Sequence, residues 1–259
     1  MHHNQKTPFL VAVLTKYDAQ AELVNQPEKY CIKIPDGLDY QQVTALMCDW
    51  STAYGVPMAT QTAKVTKGQR VFIHGVSGAV GCGLMILCSL LGAEVYGTAS
   101  ERNFEFVRDH GAIPFLYTDK KWIDNMKELG GVHAIFDPLG FESFEESYSI
   151  LTAGGILVAY GNNMDSLAGK KPRDPMEAIM KMMSWNSDSP TGRKTTFFGL
   201  SRDSPTYVSD ISALIEMMAK GKFHVPIKKV WAMDDVKDAH RQWGGGRGIG
   251  SVLIKVQDV

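Results

Sequence analysis

The sequence predicts an α/β fold: a doubly wound parallel sheet carrying a small β appendage built from both chain ends. Three observations predict it. From Arg70 onward, short runs rich in Val, Ile and Phe alternate with helical stretches, an element order that yields a parallel sheet covered on both faces. The first of these runs leads through a tight glycine turn into an apolar helix. Outside that region the chain consists of short extended pieces broken by Pro27, Pro35 and Pro226.

Taken in order, residues 8–35 open with such pieces and 226–259 close with them, interrupted by Gly244, Gly245 and Gly246. The two flanks are expected to pack together, dividing the chain into an N-terminal flank (1–40), a sheet domain (41–225) and C-terminal return strands (226–259). About six strands follow from the apolar runs, at 71–74, 94–97, 114–117, 134–137, 156–160 and 195–198. Between them, 80–91 is apolar almost all round, as in a helix buried against a sheet. Residues 101–110 and 122–129 are more amphipathic. The stretch 207–220 puts Val208, Ile211, Leu214, Ile215 and Met218 at helical spacing and stops at Gly221, a C-cap residue. Residues 162–193, rich in Met, Ser, Asp, Pro and Lys, read as an insertion beside the sheet's ligand-binding edge. One helical patch lies there, at Met176, Ile179, Met180 and Met183. Methionines so spaced most often fill a core groove; the functional alternative is an adaptable apolar lid over a hydrophobic substrate.

A chain of 259 residues can bury a full core. Its formal net charge of −1, with no basic stripe, argues against nucleic-acid and membrane-surface binding. No apolar run approaches the roughly 20 residues that cross a bilayer, and the first residues lack the apolar stretch of a secretory signal. The expected location is the cytoplasm. Cys31, Cys48, Cys82 and Cys88 have no spacing that suits a zinc site or a disulfide framework, and they read as reduced thiols.

The chemistry is carried by the run Val71-Phe72-Ile73-His74-Gly75-Val76-Ser77-Gly78-Ala79-Val80-Gly81. Gly78 lets the backbone approach a pyrophosphate, Gly81 lets the helix pack tightly on the strand, and the helix start offers free amides to negative charge. The same turn could merely join strand to helix, but the repeated α/β units around it favour a Rossmann-type dinucleotide site. At the end of the second strand, where an acidic residue would hold the adenine ribose of NAD, the sequence has Thr98-Ala99-Ser100 and then Glu101-Arg102. An uncharged turn followed by an arginine suits a ribose 2′-phosphate, so NADP(H) is the expected cofactor. Against this, Glu101 and Arg102 also fit a solvated first helical turn.

These stretches, with Ile34-Pro35-Asp36-Gly37-Leu38, Thr52-Ala53-Tyr54, Lys67-Gly68-Gln69, Phe136-Asp137-Pro138-Leu139-Gly140 and Ala219-Lys220-Gly221-Lys222, give the chain its family likeness. It resembles the zinc-independent quinone oxidoreductase and enoyl reductase branch of the medium-chain dehydrogenase/reductases, including members that serve secondary metabolism. The resemblance implies an NADPH cleft with Ser77, Gly78, Ala79, Val80 and Gly81 on the pyrophosphate. It places Ser100 and Arg102 near the 2′-phosphate and Tyr117 beside the adenosine. Gly161 and Asn162 would lie near the nicotinamide ribose, with Thr52 and Tyr54 approaching the nicotinamide from the other side; for the tyrosines the alternative is amphipathic core filling. The likeness also implies that most of the family's N-terminal GroES-like barrel is missing, with 11–24 and 228–259 as its remnant strands, and that no zinc ligand set remains.

Asp49 departs from the family, which carries apolar residues just before Thr-Ala-Tyr. Facing the cleft, a desolvated carboxyl there could act as general acid or base; the alternative is a solvent-facing or helix-capping aspartate. Tyr54 is the other candidate catalytic residue. Three functions follow. The first is an NADPH-dependent reductase of an activated C=C, enone or quinone, acting on a small apolar substrate. The second is a reductase scaffold turned to non-redox cyclisation, isomerisation or cycloaddition. The third is an accessory subunit that buries an exposed apolar surface on a partner. Pairing through the edge strand at 195–198 would give a homodimer.

Overall fold

The computed structural model describes residues 11–14, 20–21, 23–58, 62–187, 189–242 and 247–256. Gly244, Gly245 and Gly246, expected to interrupt the C-terminal strands, lie outside the described residues, as do parts of the N-terminal flank.

The chain begins with β1 (Val11–Ala12) and β2 (Ile32–Lys33), an antiparallel pair. Helix α1 (Tyr40–Ala45) starts where the Asp39 carboxylate accepts the Gln41 amide at 2.8 Å, satisfying a donor that no helical carbonyl can reach. A π-helical turn, Leu46–Trp50, joins it to α2 (Ser51–Met58). Strand β3 (Arg70–Ile73) and helix α3 (Ala79–Leu90) follow, then β4 (Glu94–Ala99), a 3-10 turn at Glu101–Asn103 and α4 (Phe104–Asp109). Next come β5 (Ile113–Leu116), α5 (Lys121–Glu128), β6 (Val132–Asp137), α6 (Glu142–Ser149) and β7 (Leu151–Ala159). The short α7 (Met164–Leu167), α8 (Met176–Ser184), β8 (Lys194–Phe197) and α9 (Tyr207–Ala219) complete the sheet region. The chain ends in β9 (Ile227–Ala232), α10 (Val236–Gln242) and β10 (Ser251–Lys255).

Six strands form one parallel sheet in the order β5-β4-β3-β6-β7-β8. All six expected strands are present, each within a few residues of its expected place. Alternation along them divides the core in two. Val71, Ile73, Phe136 and Val158 face α2, α3 and α9, with Trp50, Leu84, Leu87 and Leu214. Phe72, Ile135, Leu157 and Ala159 face the opposite side, with Trp122, Met126, Phe144 and Met182 from α5, α6 and α8. Each layer buries whole aliphatic and aromatic side chains, worth about 1.5–3 kcal/mol apiece before entropy is set against them.

The two flanks meet, as in the hydrogen bond between Gln20 and His240, but do not share one sheet. They form two separate two-stranded sheets, β1-β2 and a parallel β9-β10, and the C-terminal one is bridged by a helix, α10. Helices α1, α2 and α6 were not foreseen. The last is polar along much of its length, and its Ser143 and Ser147 are buried against charge instead of oil. The methionine patch is helical, as α8, but its stripe is turned outward. Met182 is fully buried, whereas Met176, Met180 and Met183 are exposed. Neither reading of those three residues holds, because they fill no core groove and they do not line the cleft.

Candidate functional site

The order of the sheet reverses at β3: the chain moves outward through β4 and β5, then returns to place β6 on the other side. At such a switch point the loops after neighbouring strands diverge and leave a crevice at their carboxyl ends. A cavity of about 840 Å³ occupies that position, within the size range of small-molecule and cofactor sites. It runs from the glycine turn to Ser100 and Tyr117 on one side and to Leu139, Tyr160 and Asn163 on the other.

The glycine turn is shaped by close contacts. Gly75 has φ +67°, and a Cβ at Gly81 would sit 2.1 Å from the Gly75 carbonyl oxygen, so any side chain there would push α3 away from the turn. The Gly75 amide donates to Thr98 Oγ1 at 3.0 Å, and the Gly78 amide to the Gly75 carbonyl at 2.8 Å. The turn therefore stands with the first amides of α3, from Ala79 to Gly81, directed to the cavity that all three residues line. These features fit a dinucleotide diphosphate: donors without helical acceptors, at a switch point, beside a crevice of sufficient volume.

At the end of β4, Ser100 and Arg102 line the cavity, whereas Glu101 is exposed and does not. The Asn103 side chain donates from Nδ2 to Ser77 Oγ at 2.9 Å, tying this turn to the glycine turn. Tyr117 is 59% exposed and forms part of the same wall.

Asp49 also lines the cavity. It lies in the π-helical turn, and its Oδ2 accepts from Ser251 Oγ at 2.5 Å. Burial raises its pKa above the ordinary aspartate value, an effect the Ser251 hydrogen bond only partly offsets. The strand that supplies Ser251 is fixed to the glycine turn, since Gly250 donates its amide to the Ser77 carbonyl at 3.3 Å and bridges to Gly78.

Not every expected residue comes to the cleft. Thr52 and Tyr54 are absent from its wall; Tyr54 packs against the core on α2, where burial and the nearby Asp210 raise its phenol pKa. The helix turns that side chain toward α9, which corrects its expected catalytic position. Gly161 and Asn162 lie between two wall residues, Tyr160 and Asn163, without lining the cavity themselves. A Cβ at Gly161 would meet the Pro138 carbonyl oxygen at 2.8 Å, so that glycine permits the close approach of the loops after β6 and β7.

A buried polar chain under the turn was not foreseen. Ser143 and Ser147 each donate to Asp137 Oδ2 at 2.7 Å, and the Leu139 amide donates to Oδ1 at 2.7 Å. With its proton committed to Asp137, Ser147 Oγ accepts from His74 Nε2 at 3.0 Å, leaving Nδ1 to accept from Thr98 Oγ1 at 3.4 Å. That arrangement needs a neutral imidazole, and burial lowers the His74 pKa accordingly. The network links the carboxyl ends of β3, β4 and β6 to α6. The signal in the sequence was polarity alone, at the end of a strand and along one helix.

Among the described residues no group of three or more His, Cys, Asp or Glu could hold a metal ion, and no helix is long and apolar enough to cross a membrane. The sequence profile of a zinc-binding dehydrogenase family matches residues 79–220. The chain is 27% identical to the synaptic vesicle membrane protein VAT-1 of Tetronarce californica, with 85% of this chain and 60% of that protein covered. It is 29% identical to the medium chain reductase pydE of an Acremonium species, over 86% of this chain and 60% of that one. Among solved structures, the human VAT-1 homolog-like protein superposes with a TM-score of 0.76 at 22% identity, covering 98% of this chain and 74% of that chain. A mycobacterial protein solved in complex with NADPH gives 0.71 at 20% identity, covering 88% and 70%. The chain thus spans about three fifths of the length of the curated relatives it matches.

Proposed function

Since the chain belongs to the zinc-binding dehydrogenase family, with the profile spanning 79–220, we propose that it is an NADPH-dependent reductase of an activated C=C, an enone or a quinone. The observation that carries this reading is the arrangement after β4, where Arg102 and Ser100 face the cavity and Glu101 does not. An acidic residue facing inward would favour the free ribose hydroxyls of NAD; a guanidinium favours a 2′-phosphate. A fold neighbour solved with NADPH adds support, as does a relative named as a medium chain reductase.

In this reading, the cofactor supplies a hydride to the electron-poor carbon of the substrate. The amides of Ala79, Val80 and Gly81 hold the diphosphate, with Ser77 and Gly78 shaping the turn. Ser100, Arg102 and Tyr117 hold the adenosine end. Tyr160 and Asn163, set by the neighbouring Gly161 and Asn162, form the wall on the nicotinamide side. Leu139, Met164 and Leu167 give this end of the cavity an apolar lining suited to a small apolar substrate. Asp49 is the group that holds the proton to be delivered, at the carboxyl oxygens that Ser251 orients. Bound phosphate charge nearby would raise its pKa further, in the same direction as burial.

Calorimetric titration tests the reading. Wild-type protein is expected to bind NADPH more tightly than NADH, and Arg102→Ala to weaken NADPH about 10- to 100-fold, the worth of a charge-assisted contact, while leaving NADH unchanged. NADPH consumption with a panel of enones and quinones checks the reaction. No affinity for either dinucleotide, or turnover of a substrate without NADPH, would overturn the proposal.

A further inference from the structure

A second cation reaches the same end of the cavity from a different part of the fold. Lys228 lies on β9, outside the six-stranded sheet, and lines the cavity together with Arg102. Its position is fixed by the backbone around it. Strand β10 is anchored to the glycine turn through Gly250, and β9 pairs in parallel with β10, which sets residues 227 and 229 opposite 251 and 252. Gly248 closes over the Lys228 stem so tightly that a Cβ there would lie 2.8 Å from its Cγ, and the φ of +120° at Gly248 is itself a conformation for glycine. Gly248 lines the cavity too.

We infer that Lys228 is a specificity-determining residue of the nucleotide site, sharing a ribose phosphate with Arg102 and thereby closing the C-terminal strand pair onto the cofactor. The inference rests on the dinucleotide reading above. Both residues line the one cavity, and burial, followed by the Arg102 guanidinium, lowers the Lys228 pKa. A dianionic phosphate monoester between them gains two charge-assisted contacts, which a ligand lacking the phosphate does not make. Discrimination for the phosphate thus comes from contacts that only a phosphate-bearing ligand makes. Because Arg102 follows the nucleotide-binding sheet and Lys228 belongs to β9, the phosphate bridges two sheets, so its binding should damp opening of the C-terminal segment.

The test uses 2′,5′-ADP and ADP as probes of the full-length protein, with calorimetry for affinity and hydrogen exchange over residues 227–232. Wild type is expected to bind both 2′,5′-ADP and ADP, and to slow exchange in that strand with 2′,5′-ADP but not with ADP. Lys228→Met should weaken 2′,5′-ADP about 10-fold, leave ADP unchanged and abolish the slowed exchange; Lys228→Arg should restore all three. Unaltered 2′,5′-ADP affinity in a folded Lys228→Met protein, or exchange slowed equally by both probes, would overturn the inference while leaving the dinucleotide site intact. Failure of the wild type to bind either ADP or 2′,5′-ADP would overturn the dinucleotide reading and this inference with it.

Discussion

In the proposed reading, Asp49 is the carboxyl group that carries the proton transfer. Its folded pKa is raised above the unfolded aspartate value by burial, so the group contributes stability below the unfolded pKa and that contribution is lost as pH rises through the folded one. At neutral pH the protein therefore carries either a costly buried charge or a proton available for transfer. Asp49→Asn keeps an acceptor for Ser251 Oγ and removes the cost. It should raise Tm by about 2–4 °C at pH 7, the shift that about 1 kcal/mol produces in a chain of this size, with the gain vanishing near pH 4. Thermal melts across that range check the sign. The same variant should bind NADPH undiminished yet lose about 100-fold in kcat, as expected when a general acid is removed. A variant with unchanged kcat would exclude Asp49 as the proton donor.

At this scale, what the sequence revealed depended on whether a residue's role was local. Gly75, Gly78 and Gly81 were legible because a turn into a helix makes demands on backbone within a few residues. The direction of Asp49 was not, since the π-helical turn shifts the helical phase at that point, and its partner Ser251 lies 202 positions away. Tyr54 was misplaced for a related reason, as its spacing from Thr52 says nothing about which face of α2 meets the cleft. The chain from Thr98 through His74 to Asp137 joins the ends of three strands, so no segment of the sequence contains it.

Among the elements, α7 and the N-terminus of α6 show how the rim of the cavity is held. Arg173 donates from Nε to Asp165 at 2.9 Å and from Nη1 to Glu142 at 2.8 Å, and its guanidinium lies 4.0 Å from the centre of the Phe141 ring. That fork joins α7, whose Met164 and Leu167 line the cavity, to the start of α6. Phe141 supports it at a price in backbone energy: its φ of +56° and ψ of −124° lie where a residue with a side chain is strained. Phe141→Gly relieves the strain and loses the ring, whereas Phe141→Ala loses the ring alone. The glycine variant should therefore be more stable than the alanine variant by about 1–3 kcal/mol, as measured by urea denaturation. Equal stabilities would contradict the strain. Strands were the elements most legible in the sequence, because burial on both faces demands apolar runs. Helix α8 was found by its period, but period alone cannot say what covers a stripe, and its outward methionines followed no rule available to a single chain.

For the molecule as a whole, the β9-β10 pair and the nucleotide sheet meet at the glycine turn through the contact of Gly250 with Ser77. In the proposed reading, cofactor binding, proton delivery by Asp49 and closure by Lys228 would all converge on that junction. The account rests on the turn after β3 receiving a diphosphate. Gly78 has φ −77° and its added Cβ would lie 3.1 Å from the Gly75 carbonyl oxygen, so aspartate can be accommodated there with a small adjustment while placing negative charge against the bound phosphates. The most direct measurement is a calorimetric titration of folded Gly78→Asp protein with NADPH beside the wild type. The expected result is binding by the wild type and none detectable by the variant; equal affinities would mean that the diphosphate does not sit at this turn.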